Sequence, residues 1–441
     1  MSDKKLNVIY LNSHDTGRWL GCYGEDVHTP AIDQLASQGV RMTQMFSLAP
    51  ICSPSRAALL TGQYPHQTGL LGNTGRGFEL LYPQRHLAAH LKSHGYHTAH
   101  VGIFSLYPTD PMGYDVINPD FREAEKHAID LIEQYKDDDA PFFLDVGFME
   151  AHRTPGRDNI NFYASDDVPA QPFTQDITPP ASMADLEDVK NDWQDFKRSA
   201  RSLDQRIGKI LQALDQAGLA EKTVVIYTTD HGPAIPDMKG TLCDNGIGVA
   251  MIMRGPLGSV LTGGITCEAL LSQIDWYPTL CELLDIPQPS WLEGHSFLPL
   301  LKDSNATPPR DAIFAEQTYH AAYEPLRAVR TQRYKYIQAY HDYPTVIAAN
   351  CDDSPSKTAM INNGWLKTQQ GSKRFYDLAS DPQEAHNLID DPAYASIIQE
   401  MQQKLADWQK QTDDPILQGP IALPQGVTPI SQSALSPWDG R

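Results

Sequence analysis

Short apolar runs rich in β-branched residues alternate with segments whose apolar residues recur at helical spacing. The apolar runs predict strands at residues 6–11, 40–46, 98–101, 141–147, 223–228 and 249–253. Helical spacing predicts a helix over residues 196–217, which ends at Gly218. This alternation is typical of an α/β fold with a mixed, mostly parallel sheet flanked by helices.

Polar clusters follow three of these predicted strands. The clusters are Ser13-His14-Asp15, Glu150-Ala151-His152 and Thr229-Asp230-His231-Gly232. In open α/β sheets, ligands bind at the carboxyl ends of the strands. We therefore expect the three clusters to share one site.

The pattern changes at about residue 310. Residues 312–318, 326–340 and 373–379 read as antiparallel strands, and a helix is predicted over about 391–411. We therefore predict a catalytic domain over residues 1–310 and a smaller α+β domain over 311–441. Residues 153–190, rich in Pro, Asp and Asn, predict a long surface insertion near the site.

The net charge and the hydropathy of the chain limit the classes of binding partner and the cellular compartments that we expect. Lys and Arg number 35 against 55 Asp and Glu, a net charge of −20, which disfavours nucleic acid and anionic membranes as partners. No apolar run approaches the roughly 18 residues of a membrane span, and no secretory h-region follows the first lysines. We expect a cytoplasmic protein, or a periplasmic one if a signal peptide has been removed. The sequence leaves a homodimer open.

The segment with the most specific chemistry begins at Cys52 and reads CSPSRAALLTG. Pro54 suits the first turn of a helix, so residue 52 is predicted at that helix's N-terminus. Free N–H groups and the helix dipole favour an anion there. Arg56, one turn further on, can reach back towards negative oxygens.

This eleven-residue segment resembles the signature of type I sulfatases of the alkaline-phosphatase superfamily. The resemblance implies an alkaline-phosphatase-like sheet and a hydrolase of sulfate esters or sulfamates. It also implies that a formylglycine-generating or sulfatase-maturating enzyme oxidises Cys52 to formylglycine. The segments YPHQTGLLGN and FYDLASDPQEAHNLIDDP resemble N-sulfoglucosamine sulfohydrolases, which implies a sulfated amino sugar or short glycosaminoglycan fragment as substrate.

The same resemblance implies one divalent cation. Its ligands would be Asp15, His14, Asp230, His231 and the residue-52 oxygen. An oxygen-rich set suits Ca²⁺, which we favour, or Mg²⁺. His14 stands where the family usually has the first of two consecutive aspartates, and an imidazole better suits Mn²⁺ or Zn²⁺.

Catalytic roles are also implied by the resemblance. Hydrated formylglycine at position 52 is the nucleophile, and Arg56 with the cation lowers the pKa of its hydroxyl. Lys239 or His152 protonates the leaving atom. Arg56 and Lys239 also meet the charge that develops on the sulfate oxygens.

One segment departs from the family pattern. Many sulfatases carry Gly-Lys-Trp-His where this chain has Gly102-Ile103-Phe104-Ser105. A lysine and a histidine are therefore lost, to Ile103 and Ser105. The candidate replacements are His66, Arg76, His100 and Arg153.

Two alternatives to a sulfatase remain from the sequence. One is a phosphonate monoester or phosphodiester hydrolase of the same superfamily, which the mixed Asp and His ligands keep open. The other is a non-catalytic carbohydrate-binding relative in which Cys52 stays unmodified.

Overall fold

The computed structural model describes residues 5–110, 112–154, 160–165, 168 and 178–439. Its strands are β1 Asn7–Ser13, β2 Val40–Met42, β3 Met45–Phe46, β4 His97–Gly102, β5 Val116–Asn118, β6 Phe142–Gly147, β7 Thr223–Thr229, β8 Met251–Arg254, β9 Ile265–Cys267, β10 Leu271–Ser272, β11 Ala312–Tyr319, β12 Tyr323–Thr331, β13 Tyr334–Ala339 and β14 Lys373–Asp377. Its helices are α1 Pro30–Gln38, α2 Cys52–Thr61, α3 Pro65–Thr68, α4 Leu87–Ser93, α5 Ala124–Tyr135, α6 Glu187–Gln216, α7 Asp244–Ile247, α8 Trp276–Leu283, α9 Leu298–Lys302, α10 Pro355–Asn362 and α11 Ala395–Gln411.

The main sheet has eight strands in the order β5-β4-β6-β1-β7-β8-β2-β9. The central strand β1 runs parallel to both β6 and β7, whereas β8 runs antiparallel to β7 and β2. The predicted mixed, mostly parallel sheet is therefore confirmed. The carboxyl ends of β1, β6 and β7 lie side by side at one edge.

Helices cover both faces of this sheet, as the continuously apolar central strands require. On one face Val8, Phe143 and Ile226 pack with side chains of α2, α4 and α8. On the other face Ile9 and Leu144 pack with α1, α5 and α6. The sheet therefore holds α2 rigidly above the end of β1.

Two elements differ from the sequence prediction. Residues 40–46 form not one strand but β2 and β3, which pair in different sheets. Helix α6 begins at Glu187 rather than at residue 196, because the buried side chains Val189, Trp193 and Phe196 continue its apolar face towards the N-terminus.

The predicted C-terminal antiparallel sheet is present, in the order β11-β12-β13-β14. The run predicted over residues 326–340 contributes two strands, β12 and β13, which form a hairpin. Helix α11 packs on one face of this sheet through Met401, Leu405 and Trp408. The other face packs on Phe46 and Leu242 of the larger part of the chain.

Within the described residues, no helix is both long and apolar enough to cross a membrane. Of the insertion predicted over 153–190, residues 155–159, 166–167 and 169–177 lie outside the described part of the chain. The cysteines all carry free thiols.

Candidate active site

Cys52 is the first residue of α2, and it is 6 % exposed. The preceding Ile51 has an extended backbone, so the helix begins abruptly at the end of a buried loop. The Sγ atom of Cys52 lies 3.4 Å from Nε2 of His231 and 4.0 Å from Oδ1 of Asp15. The N-terminus of this helix therefore faces the polar residues that follow the strands.

Asp15 and Asp230 meet because β1 and β7 are paired in parallel up to Ser13 and Thr229. The backbone N–H of Asp15 donates to Oδ1 of Asp230 at 2.9 Å. Burial alone would raise the pKa of Asp15, but Lys239, His152 and His231 hold it well below the usual value. Asp15 is therefore an ionised carboxylate in a buried site.

His14 completes the group of donors around these carboxylates. Its Nδ1 atom is buried, has no hydrogen-bond partner among the described residues and lies 3.2 Å from Oδ2 of Asp230. Burial and the nearby Arg56 guanidinium lower the pKa of His14 to about 4, so the ring is neutral at neutral pH.

These donors fit a divalent cation. Ligand atoms of Asp15, Cys52, Asp230 and His231 all lie within 4.8 Å of one another, as do those of His14, Asp15, Cys52 and His152. Two ionised carboxylates supply hard oxygen ligands. The neutral His14 ring, with its unpartnered Nδ1, supplies the kind of nitrogen ligand that transition metals accept.

The guanidinium of Arg56 contacts the carboxylate of Asp230 and the end of β1. Its Nε and Nη2 atoms are 3.2 and 3.1 Å from Oδ2 of Asp230, and Nη2 donates to the carbonyl oxygen of Ser13 at 2.8 Å. Nη1 donates to Oδ1 of Asn12. In this arrangement Arg56 fixes a candidate metal ligand.

Lys239 is 3 % exposed, and its Nζ atom lies between two carboxylates. It is 2.8 Å from Oδ2 of Asp15 and 2.9 Å from Oδ2 of Asp352. Burial would lower the pKa of Lys239, but the two carboxylates raise it well above the usual value. Sequence reasoning missed Asp352, because the segment NCDDSP around it matches no motif.

His152 lies against His14, with the ring centroids 5.4 Å apart and the rings edge to face. Its Nδ1 atom is 2.6 Å from the carbonyl oxygen of Arg153. A carbonyl oxygen only accepts, so Nδ1 carries a proton and Nε2 is available to a ligand. His152 is half-buried, whereas His14, Asp15 and Cys52 are buried.

Three of the candidate replacements for the missing lysine and histidine already hold a buried carboxylate of their own. The pairs are His66–Glu316 at 2.9 Å, His100–Asp145 at 3.0 Å and Arg153–Asp192 at 2.7 Å. A guanidinium N–H of the fourth, Arg76, donates to the carbonyl oxygen of Pro437 at 2.9 Å. Ser105, at the position of the lost histidine, has its hydroxyl 3.4 Å from Nε2 of His14.

Comparison with known proteins shows the family of the chain. The Sulfatase family matches residues 7–286, and the family described as N-sulphoglucosamine sulphohydrolase, C-terminal, matches residues 238–364. An ulvan-active sulfatase of Formosa agariphila is 28 % identical, covering 96 % of this chain and 83 % of its own length. The human N-sulphoglucosamine sulphohydrolase is 27 % identical, covering 96 % of this chain and 92 % of its own.

A solved structure described as being in complex with its substrate D-glucosamine-2-N,6-O-disulfate has the same fold. It superposes with a TM-score of 0.68 at 20 % identity, over 93 % of this chain and 99 % of the other. The family match spans well over half of the chain and includes β1, Cys52, Arg56 and the Asp230-His231 pair. The chain therefore belongs to the sulfatase family, whose members hydrolyse sulfate esters or sulfamates.

Proposed function

We propose that this sulfatase removes sulfate from a sulfated amino sugar, using a formylglycine made from Cys52 and one divalent cation. The observation that carries the proposal is the meeting of Cys52 with Asp15, Asp230 and three histidines at one end of the main sheet. The signature that begins at Cys52 lies on a helix whose N-terminus faces this cluster.

The cysteine itself is a poor nucleophile in this position. Burial raises the pKa of the Cys52 thiol, and Asp15 and Asp230 add to that effect. The thiol is therefore protonated at neutral pH, and a protonated thiol attacks weakly. Oxidation to formylglycine supplies instead a hydrated aldehyde, whose hydroxyl can take up a sulfuryl group and whose second hydroxyl allows its release.

The residues that would hold the cation are Asp15, Asp230, His14 and His231, together with the oxygen at position 52. When bound, a divalent cation supplies positive charge that stabilises a deprotonated hydroxyl and the sulfate oxygens. Ca²⁺ is our first choice because of the two carboxylates, and Mn²⁺ is the alternative that His14 favours.

Lys239 and His152 are suited to the leaving group. Asp15 and Asp352 keep Lys239 protonated and hold its ammonium within 3 Å of the donor cluster. Nε2 of the half-buried His152 is left for a ligand by the contact of Nδ1 with the Arg153 carbonyl oxygen, so a protonated His152 can deliver a proton to the departing oxygen or nitrogen. Arg56 keeps Asp230 ionised and oriented through contacts of 3.1 and 3.2 Å.

The proposed substrate follows from the relatives and the charge. The human relative is named for N-sulphoglucosamine, and the solved complex contains a disulfated glucosamine. A net charge of −20 repels long polyanions, so we propose a mono- or disaccharide rather than a polymer.

The test is activity after co-expression with a formylglycine-generating enzyme. Intact-mass spectrometry should show a loss of about 18 Da from converted Cys52, and glucosamine sulfated at N, 2-O or 6-O should then be desulfated. An aryl sulfate and an aryl phosphonate are assayed side by side. Faster phosphonate turnover would favour the phosphonate hydrolase, and an unmodified Cys52 with no turnover would favour the non-catalytic relative.

A further inference from the structure

A row of polar side chains crosses one otherwise apolar face of the main sheet. Asn12 lies on β1, Asp145 on β6 and His100 on β4, and each is 2 % exposed. His100 pairs with Asp145 in the register of β4 and β6. Asn12 lies two residues beyond Tyr10, the β1 partner of Asp145, and therefore on the same face of the sheet. Their face is the one that packs beneath α2 and therefore beneath Arg56.

Burying a carboxylate in this face is costly unless its oxygens accept hydrogen bonds. Asp145 accepts from Nδ2 of Asn12 at 2.7 Å and from the hydroxyl of Tyr114 at 2.6 Å. Its Oδ2 atom is also 3.0 Å from Nδ1 of His100. Asp145 is therefore contacted by three side chains. One of them, Asn12, also contacts Arg56 of the active site.

The contacts of Asn12 allow its amide only one orientation. Nδ2 donates to Asp145 at 2.7 Å and to the carbonyl oxygen of Val146 at 3.0 Å. Both of those partners only accept, whereas the guanidinium of Arg56 only donates. A flipped amide would place N–H groups against Arg56 and an oxygen against Asp145. Oδ1 of Asn12 therefore faces Nη1 of Arg56.

The amide completes the set of acceptors around Arg56. The other two are the carbonyl oxygen of Ser13 at 2.8 Å and Oδ2 of Asp230, 3.1 Å from Nη2. A planar guanidinium with acceptors on all its edges has a fixed plane. Arg56 in turn contacts Oδ2 of Asp230, while the backbone N–H groups of Asp15 and His231 each donate to Oδ1 at 2.9 Å.

We propose that Asn12 is a positioning residue whose amide, oriented by Asp145, fixes Arg56 against the candidate metal ligand Asp230. The inference rests on the proposed function for its kinetic consequence, and on the contacts alone for its effect on cation binding. Among the described residues, the Asn12 side chain bonds Asp145, the carbonyl oxygen of Val146 and Arg56, and we assign its effect on the site to Arg56.

The test compares Asn12→Leu with Asn7→Leu. Asn7 lies on the same strand and is also buried, and its side chain bonds both neighbouring strands, to Thr223 at 3.4 Å and to the N–H of Phe142 at 3.1 Å. It makes no contact with Arg56 among those that the structure describes. Both variants lose a buried amide from β1, but Asn12→Leu also removes an acceptor from Arg56.

Kinetics on the sulfated glucosamine give the first readout, with conversion of Cys52 checked by mass in each variant. Asn12→Leu should lower kcat about 10- to 100-fold, as loss of a partner of a ligand-orienting group commonly does. KM should change far less, because no substrate contact is lost. Asn7→Leu should leave kcat close to that of the wild type. Equal losses of kcat in the two variants would overturn the proposal.

Cation binding gives a readout that needs no substrate. The Tm of the purified chain is followed while Ca²⁺, and separately Mn²⁺, is added. Asn12→Leu should raise the concentration for half the Tm gain about 10- to 100-fold, and Asn7→Leu should not. If the wild type hydrolyses none of the sulfated sugars but this difference persists, the proposed substrate fails and the positioning role stands. Identical cation dependence in the two variants contradicts the positioning role.

Asp145→Asn is a second variant that tests the proposal if Asn12→Leu does not fold. It keeps the volume of the side chain but can present either an oxygen or an amide to Asn12, so one of the two acceptors that orient the Asn12 amide is weakened while the carbonyl oxygen of Val146 remains. The expected loss of kcat lies between those of Asn7→Leu and Asn12→Leu. An Asp145→Asn enzyme with wild-type kcat and wild-type cation dependence would remove Asp145 from the proposal.

Discussion

Replacing Lys239 by methionine removes a buried positive charge from between two carboxylates and keeps most of the side-chain volume. The ammonium lies 2.8 Å from Asp15 and 2.9 Å from Asp352. At an effective dielectric constant near 20, each pair has a gross attraction of about 6 kcal/mol. Most of that attraction offsets the free-energy cost of removing three charged groups from water. The measured cost of breaking such a buried pair is about 3–5 kcal/mol.

We expect Lys239→Met to lower the free energy of unfolding by about 3–5 kcal/mol in the presence of a chelator. The penalty should shrink when a divalent cation is added, because the cation compensates the charge of Asp15. Urea unfolding followed by tryptophan fluorescence measures both values. Activity on the sulfated glucosamine should fall by orders of magnitude in the same variant, since the proposed function assigns the ammonium to the leaving group.

Lys404→Met is the matched control. Lys404 pairs with Asp311 at 2.7 Å, but the two side chains are 28 % and 82 % exposed. Such a surface pair contributes about 0–1 kcal/mol. If the two lysine variants lose equal stability, the buried triad does not carry the energy assigned to it here.

Four further outcomes are expected. Cys52→Ala should abolish sulfatase turnover while leaving the Tm near that of the unconverted wild type, and residual turnover above background would contradict the role of residue 52. Asp352→Asn should lower kcat about 10- to 100-fold by releasing one side of Lys239, with a smaller change in KM. EDTA should lower both Tm and activity, and re-addition of single cations identifies the metal by which of them restores activity. Burial opposes protonation of His66, but Glu316 at 2.9 Å raises its pKa. The stabilising contribution of protonated His66 is therefore full below about pH 6.5 and is lost as the pH rises through the folded-state pKa. The Tm of His66→Gln should accordingly fall less than that of the wild type between acidic and alkaline pH, and parallel curves would refute this.

The main features of the fold follow from patterns that are local in the sequence. Strands β1, β6 and β7 are continuous apolar runs, and polar residues mark where each of them ends. Parallel pairing then places the residues after β1 and β7 together, which is why Asp15 and Asp230 could be assigned to one site before their contact was known. The division of residues 40–46 into β2 and β3 could not be predicted, because the partner strands lie more than two hundred positions away.

The groups that orient the site were beyond sequence reasoning for a related reason. Asp352 reaches Lys239, and Asp145 reaches Asn12, across intervals of more than a hundred positions, and neither aspartate stands in a recognisable motif. An isolated aspartate in a strand or loop has the same local pattern whether it orients a catalytic group or caps a turn. Only the packing of the main sheet against α2 and against the C-terminal segment distinguishes these roles.

The contact between Asp352 and Lys239 also connects the smaller C-terminal part of the chain to the candidate active site. Asp352 follows the segment whose Asn350 side chain accepts from the backbone N–H groups of Ala321 and Ala322, between β11 and β12. The C-terminal sheet therefore fixes the loop that presents a carboxylate to Lys239. Without that carboxylate, Lys239 would pair with Asp15 alone, and the negative charge beside the proposed cation would be reduced further. The C-terminal sheet is thus part of the charge balance of the site as well as a support for the main sheet.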